Sequence, residues 1–206
     1  MSAASTWIAG HPALDFANTV GGIRSGEHEE QLRDYGDLLE WAAVSKVCDE
    51  QTVLSLAAIE ASRPQEAAAV LQEAWQVREV IHRAFLAVTR KEPIKPADLG
   101  YLSHILSEAH SNLAIAPAGE AFALDWLRPP SLSQPIKGAV RATAELLISG
   151  PLQRVKVCAA TTCGWLFLDS SKSGSRQWCD MAVCGNRHKV ARYKQRVRSI
   201  LRDGSA

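Results

Sequence analysis

The sequence predicts a mainly α fold of the α+β class in two parts: a helical domain over residues 1–150, and a small module over 151–206 built as a β-hairpin followed by a helix. Three observations carry this prediction. Apolar residues recur at three- and four-residue spacing through much of the first 150 positions. Four of the five cysteines fall within 27 residues near the C-terminus. The formal charge of +1 is unevenly placed, with 12 basic and 19 acidic residues up to Gly150 but 11 basic and 3 acidic after it. That is −7 against +8, and such asymmetry marks two functional units more often than one uniform surface. The division falls at Ser149-Gly150-Pro151, a plausible linker.

Composition bounds the rest. With 206 residues, 47% hydrophobic and 22% charged, the chain can bury a sizeable core and is not of disordered type. No stretch approaches the ~18 uncharged apolar residues of a membrane span. Met1 to Ser5 has neither the basic region nor the apolar run of a secretion signal. The expectation is a cytoplasmic protein without a membrane partner.

Taken in order, the helices are expected at about 35–47, 50–61, 64–91, 96–110 and 134–148. The third is the clearest, because Ala67, Val70, Leu71, Ala74, Val77, Ile81, Phe85 and Val88 form one stripe. Ser62, Pro64 and Gln65 read as its start signal and Pro93 as its stop. Between the last two helices, 113–116 and 121–126 flank Pro117-Ala118-Gly119-Glu120 and read as a short hairpin. In the second segment Trp165 to Asp169 reads as a strand, and Ser170 to Ser175 as a polar turn leading back.

Cys158 with Cys163, and Cys179 with Cys184, form two C-x4-C pairs fifteen residues apart. Zn(II) takes four thiolates in a closed tetrahedral site, and two cysteine loops brought together by a hairpin supply that geometry. One structural zinc is therefore expected, in a segment too short to fold on its core alone. Four thiolates leave no open position for catalysis, and the spacing is not that of a redox pair. His188 is expected to be a polar helix residue and Cys48 a small buried apolar one.

From Asn186 to Arg202 the chain carries Val190, Tyr193, Val197, Ile200 and Leu201 at helical spacing, a stripe expected to face inward. Lys189, Arg192 and Arg196 align on one flank, and Arg187, Lys194, Arg198 and Arg202 on another, with no acid before Asp203. Like charges at this density repel unless a polyanion neutralises them. A zinc module that fixes a basic helix is a recurrent way to present Arg and Lys to DNA. Arg176, Arg187, Lys189, Arg192, Lys194 and Arg196 are the candidate contacts, with Lys172 and Ser173 as weaker ones. The bland alternatives are a solvated basic face or one docked on the acidic first domain.

Cys184-Gly185-Asn186-Arg187, with Cys158-x4-Cys163-Gly164-Trp165-Leu166-Phe167-Leu168-Asp169 and Arg176-Gln177-Trp178-Cys179-Asp180-Met181, resembles the CGNR zinc finger. Gly10 to Thr19, followed by Tyr35 to Ala42, is similar to the ABATE domain that precedes this finger in stress-induced transcription regulators. The resemblance implies a bacterial-type regulator with a zinc-dependent DNA-binding module and an N-terminal sensing domain. Gly185 is expected to permit a close backbone approach and Asn186 to cap the helix. Arg187 is expected to contact phosphate or guanine, or else to pair with Asp180 or Asp169.

His11, Asp15, Asn18 and Thr19 gather within about two turns if their segment is helical. They are candidates for binding a small-molecule effector beside an aromatic pocket of Trp7, Trp41 and Trp126, or for tying the N-terminus to the core. The first 150 residues hold no nucleophile elbow, phosphate loop or metal-protease spacing. The reading is a transcriptional regulator and not an enzyme. Alternatives are an RNA-binding or protein-interaction zinc module, or a small-molecule-binding protein with the module as accessory. Association into an oligomer is left open.

Overall fold

The computed structural model describes residues 8–22, 28–127 and 129–203, without the side chains of 22, 28, 196 and 198–203. Trp7 and the side chains of Arg196, Arg198, Ile200, Leu201 and Arg202 lie outside this description. The elements run α1 (Pro12–Ala17), β1 (Val20–Gly22), β2 (His28–Glu30), α2 (Tyr35–Val44), α3 (Glu50–Ser62), α4 (Pro64–Arg90), α5 (Pro96–His110), β3 (Leu113–Ala118), β4 (Ala121–Trp126), α6 (Gln134–Ser149), β5 (Val155–Val157), β6 (Leu166–Leu168) and α7 (Asn186–Asp203). A 3-10 turn over Leu152–Arg154 precedes β5, and a π-helical turn over Met181–Gly185 feeds α7. Three antiparallel strand pairs, β1–β2, β3–β4 and β5–β6, make up the described β structure. No described helix is long and apolar enough to cross a membrane.

The long amphipathic helix organises the body. α4 buries Ala67, Leu71, Ala74, Val77, Ile81 and Phe85 along the expected stripe, and the other helices of the body pack around it. Its start differs from expectation. Ser62 ends α3, and its hydroxyl donates to the Ile59 carbonyl instead of capping α4. Pro64 alone marks the first turn, where its missing N–H costs nothing. Lys91 in the left-handed region (φ 58°) stops the helix.

α1 is buried on all sides, so the polar residues after it point into protein as well. Phe16 packs on Trp41 with ring centroids 4.6 Å apart. Glu30 on β2 receives both terminal nitrogens of buried Arg78 at 2.6 and 2.8 Å, which fastens this hairpin to α4. The β1–β2 pair had no counterpart in the sequence reading.

The core does not stop at Gly150. Val155, Leu166, Phe167, Cys158, Cys179 and Cys184 join the same apolar cluster as α1 and α4. The second segment thus gains both its cysteine site and a share of the body's interior. Its hairpin also differs from expectation: the partner of β6 is β5, which precedes it, with Val155 opposite Leu168 and Val157 opposite Leu166. The first cysteine loop is the hairpin's connection, and the polar turn 170–175 leads back without a strand.

Candidate metal centre and basic helix

The first cysteine loop leaves β5 at Cys158, whose amide donates to the Trp165 carbonyl at 2.8 Å across the hairpin. The second returns at Cys179 and runs into the π-helical turn Met181–Gly185, which carries Cys184. All four sulfurs lie within 4.8 Å of one another. Cys163 to Cys179 is 3.7 Å and Cys179 to Cys184 is 3.6 Å. Tetrahedral zinc with about 2.3 Å bonds places its sulfurs about 3.8 Å apart, so the separation fits the ion. Three of the four thiols are buried and the fourth is half-buried. Hydrogen bonds from Cys163 and Cys179 favour a thiolate at Cys158, while donation to Cys158 raises both neighbours. Four thiolates at this spacing require a cation to compensate them.

A polar scaffold holds the loops. Asp169 is fully buried, and its carboxylate accepts from Lys156 Nζ at 2.6 Å, Ser171 Oγ at 2.5 Å and the Arg176 amide at 2.9 Å. The Lys156 ammonium and these donors hold the carboxyl well below the usual range. Lys156 also donates to the carbonyls of Gly174 and Arg176. Gly174 takes φ +61° in this turn, which suits glycine. Sequence reasoning missed Asp169 and Lys156 as a unit, because 13 positions separate them.

Both segments of the chain match known families. Residues 154–197 match the CGNR zinc finger. Residues 10–150 match the ABATE family, described as "Putative stress-induced transcription regulator". The chain belongs to the ABATE family. A search of curated proteins finds no match to it. The four clustered cysteines are the structural zinc site of its CGNR finger.

Within the finger, the expected contact residues separate. Arg176 turns inward: Nε donates to the Trp178 carbonyl at 2.8 Å, Nη2 donates to the Cys179 carbonyl, and the guanidinium lies 4.7 Å from the centre of the Phe167 ring. It braces the second cysteine loop. Arg187, Lys189, Arg192 and Lys194 are exposed on α7, without an ion pair among the described residues. Lys172 and Ser173 are exposed at the polar turn. Asp180, an expected partner for Arg187, instead accepts from the amides of Ala182 and Val183 at 2.5 and 2.9 Å. It therefore caps the helical run that the sequence assigned to Asn186. Asn186 has ordinary helical angles inside that run, because the π-helical turn passes into α7 without a break. Gly185 is buried, and a Cβ there would meet the Met181 sulfur at 2.6 Å.

The apolar stripe of α7 also departs from expectation. Val190 is 46% exposed, Tyr193 70% and Val197 37%. The principal neighbour of α7 is the turn that feeds it, so the described part of the stripe, Val190, Tyr193 and Val197, faces solvent. His188 is exposed with its ring 5.5 Å from Trp178, outside the sulfur cluster. Cys48 is buried, and burial pushes its thiol up to about 12.

The polar residues of α1 serve the ABATE domain internally and bind it to the finger. His11 caps α1, accepting from Ala13. Asn18 meets β6 as another strand would: its amide donates to the Leu166 carbonyl at 2.7 Å, and its oxygen accepts from the Leu166 amide at 2.9 Å. Thr19 donates to the Phe16 carbonyl and accepts from Arg78. Around this latch, Leu168 donates to the Ala9 carbonyl at 2.7 Å, Trp165 Nε1 donates to the Val20 carbonyl at 2.9 Å, and His82 Nε2 lies 3.1 Å from the Gly164 carbonyl. Gly10, at φ +80° with the Leu168 Cβ 3.6 Å from where its own would stand, permits the close approach. Trp41 is buried on Phe16, while Trp126 sits beneath Arg141 at the base of β4. Different elements thus engage these two expected pocket residues.

Asp15 accepts from the Ala9 amide at 2.9 Å, yet burial pushes its carboxyl up to about 6. Between the ordinary carboxylate range and that value the folded state binds more protons than the unfolded one. The contribution of Asp15 to stability is therefore lost as pH rises through about 4 to 6, and stays lost above. Asp15→Asn keeps an acceptor without the charge. It is expected to exceed the native protein in stability by up to about 3 kcal/mol at pH 8, with the advantage shrinking as pH falls to 5. Urea unfolding of both proteins across that range checks this; a pH-independent difference contradicts it.

Proposed function

We propose that this ABATE-family chain is a DNA-binding regulator in which the zinc finger fixes α7 as the contact helix, so that its chemistry is recognition and not turnover. One observation carries the reading. Every described side chain from Asn186 to Gln195 is exposed, and four of them are cations without an ion pair among the described residues. An amphipathic helix held at its first turn by a metal site, with its cationic flanks in solvent, suits the phosphates of a duplex. The bracing role of Arg176 leaves Arg187, Lys189, Arg192, Lys194 and Arg196 as the contact set.

The test is duplex binding by the zinc-loaded protein across a salt series. Five phosphate contacts give a slope of about −4 to −5 in log affinity against log salt. Replacing Lys189, Arg192 and Arg196 together by Ala should reduce that slope by about 3. Unchanged affinity and slope in the triple variant would remove α7 from the interface. Preference for structured RNA in direct competition would move the assignment to RNA.

A further inference from the structure

Nucleic-acid binding leaves the exposed apolar residues of α7 unexplained. Val183, Val190 and Val197 recur every seven positions and form a line along the helical run, exposed throughout. Val183 and Val190, with Ala182 and Ala191, line an open groove of about 520 Å³ that Arg187 and Lys194 also line, and Val197 continues the line one turn beyond it. Lys189 and Arg192 lie away from this groove on the opposite side.

A second apolar surface stands open elsewhere in the chain. In β3–β4, Leu113, Ile115 and Pro117 pair with Trp126, Leu124 and Phe122, so all six share one face. Ile115 and Phe122 are each 76% exposed and Leu124 is 52% exposed. The only charges in the hairpin are Glu120 at the tip and Asp125. A two-stranded hairpin with a hydrophobic face needs a further strand or a helix to be stable.

We infer that the β3–β4 hairpin of one copy docks on the α7 groove of a second copy, and that the reciprocal contact closes a two-fold dimer. Both surfaces are exposed within one chain, so neither covers the other there. Their dimensions agree. Val183 to Val197 spans about 20 Å at 1.5 Å per residue, and a six-residue strand spans about 20 Å. Their charges agree as well: Glu120 stands at the hairpin tip in a segment of net −7, and Arg187 and Lys194 line the groove in a segment of net +8. The alternative of two α7 stripes facing each other would bring Arg187 and Lys194 against their own copies. Two different patches on each chain, met reciprocally, form a closed isologous assembly. Docking covers Arg187 and Lys194, so DNA and the second copy compete for those two residues, and it leaves Lys189 and Arg192 in solvent.

The test uses the full-length, zinc-loaded protein free of nucleic acid, so its outcome is separate from that of the DNA assay. Sedimentation velocity at low salt should show a dimer that weakens as salt rises. Phe122→Ser and Val190→Asp, both at exposed positions, should each raise the dissociation constant by about tenfold or more with zinc content unchanged. Mixing the two variants should restore association at intermediate strength, because one intact hairpin then meets one intact groove. A photo-crosslinker at position 122 of an otherwise native chain should label residues 181–197 of the other copy. A monomer up to about 100 μM, native-like dimerisation of Phe122→Ser, no recovery in the mixture, or crosslinks outside 181–197 would each overturn the assignment.

Discussion

Removing the zinc is expected to destabilise the whole chain and not the finger alone. Metal analysis of the native protein should give close to one equivalent, and Cys179→Ser or a strong chelator should abolish it. Structural zinc contributes on the order of 10 kcal/mol to small modules, and here the cysteine loops rest on shared interior. Leu166 and Phe167 are fully buried in the cluster that contains Phe16 and Phe85. When the loops open, that surface meets water, and α1 and α4 lose their cover. The expected result is a lower melting temperature for signals from the body's helices as well, with new protease cleavage between 158 and 184. A metal-free protein whose helical melting matched the native one would show that the two parts are energetically independent.

The second large effect is expected at Asn18, far from the metal. Asn18→Ala deletes both bonds to Leu166 and leaves a buried amide and a buried carbonyl without partners. Each such group costs about 1–3 kcal/mol, so the variant should lose about 2–5 kcal/mol in urea unfolding. Asn18→Asp separates the two bonds, since a carboxylate accepts from the Leu166 amide but cannot donate to its carbonyl. It also places a charge at a site only 4% exposed, so it should be at least as unstable as the alanine variant at neutral pH. Both variants should release zinc to a chelator faster than the native protein. An unfolding midpoint within error of native for Asn18→Ala would mean that the latch contributes no net stability.

What the sequence disclosed follows from the range of each interaction. α4 was legible because a buried stripe repeats locally over 27 residues, and the metal site because thiolate ligands declare themselves by type and spacing. The Asn18 latch was not, since its partner lies 148 positions away and is a main-chain group that no residue type reveals. β1 and β2 are three residues each, with two glycines in one and two glutamates in the other, and give no alternation to detect. The periodicity of α7 identified an amphipathic helix correctly. It could not tell whether the apolar side meets the body or solvent, because that depends on where the metal site points the helix. Arg176 looked like its basic neighbours until its distance to Phe167 and to the loop carbonyls could be seen.

The bonds by which the body grips the finger end on Gly164 O, Leu166 N and O, Leu168 N and the Trp165 indole. All but the indole are backbone atoms, so apart from Trp165 the body recognises the path of the finger's strand and not the side chains along it, beyond their fit in the interior. Modularity here is a matter of shape. A finger of different sequence that keeps the β5–β6 course and the tryptophan at 165 should seat on this body. The surfaces that set binding preference can therefore be exchanged between chains without redesigning the joint.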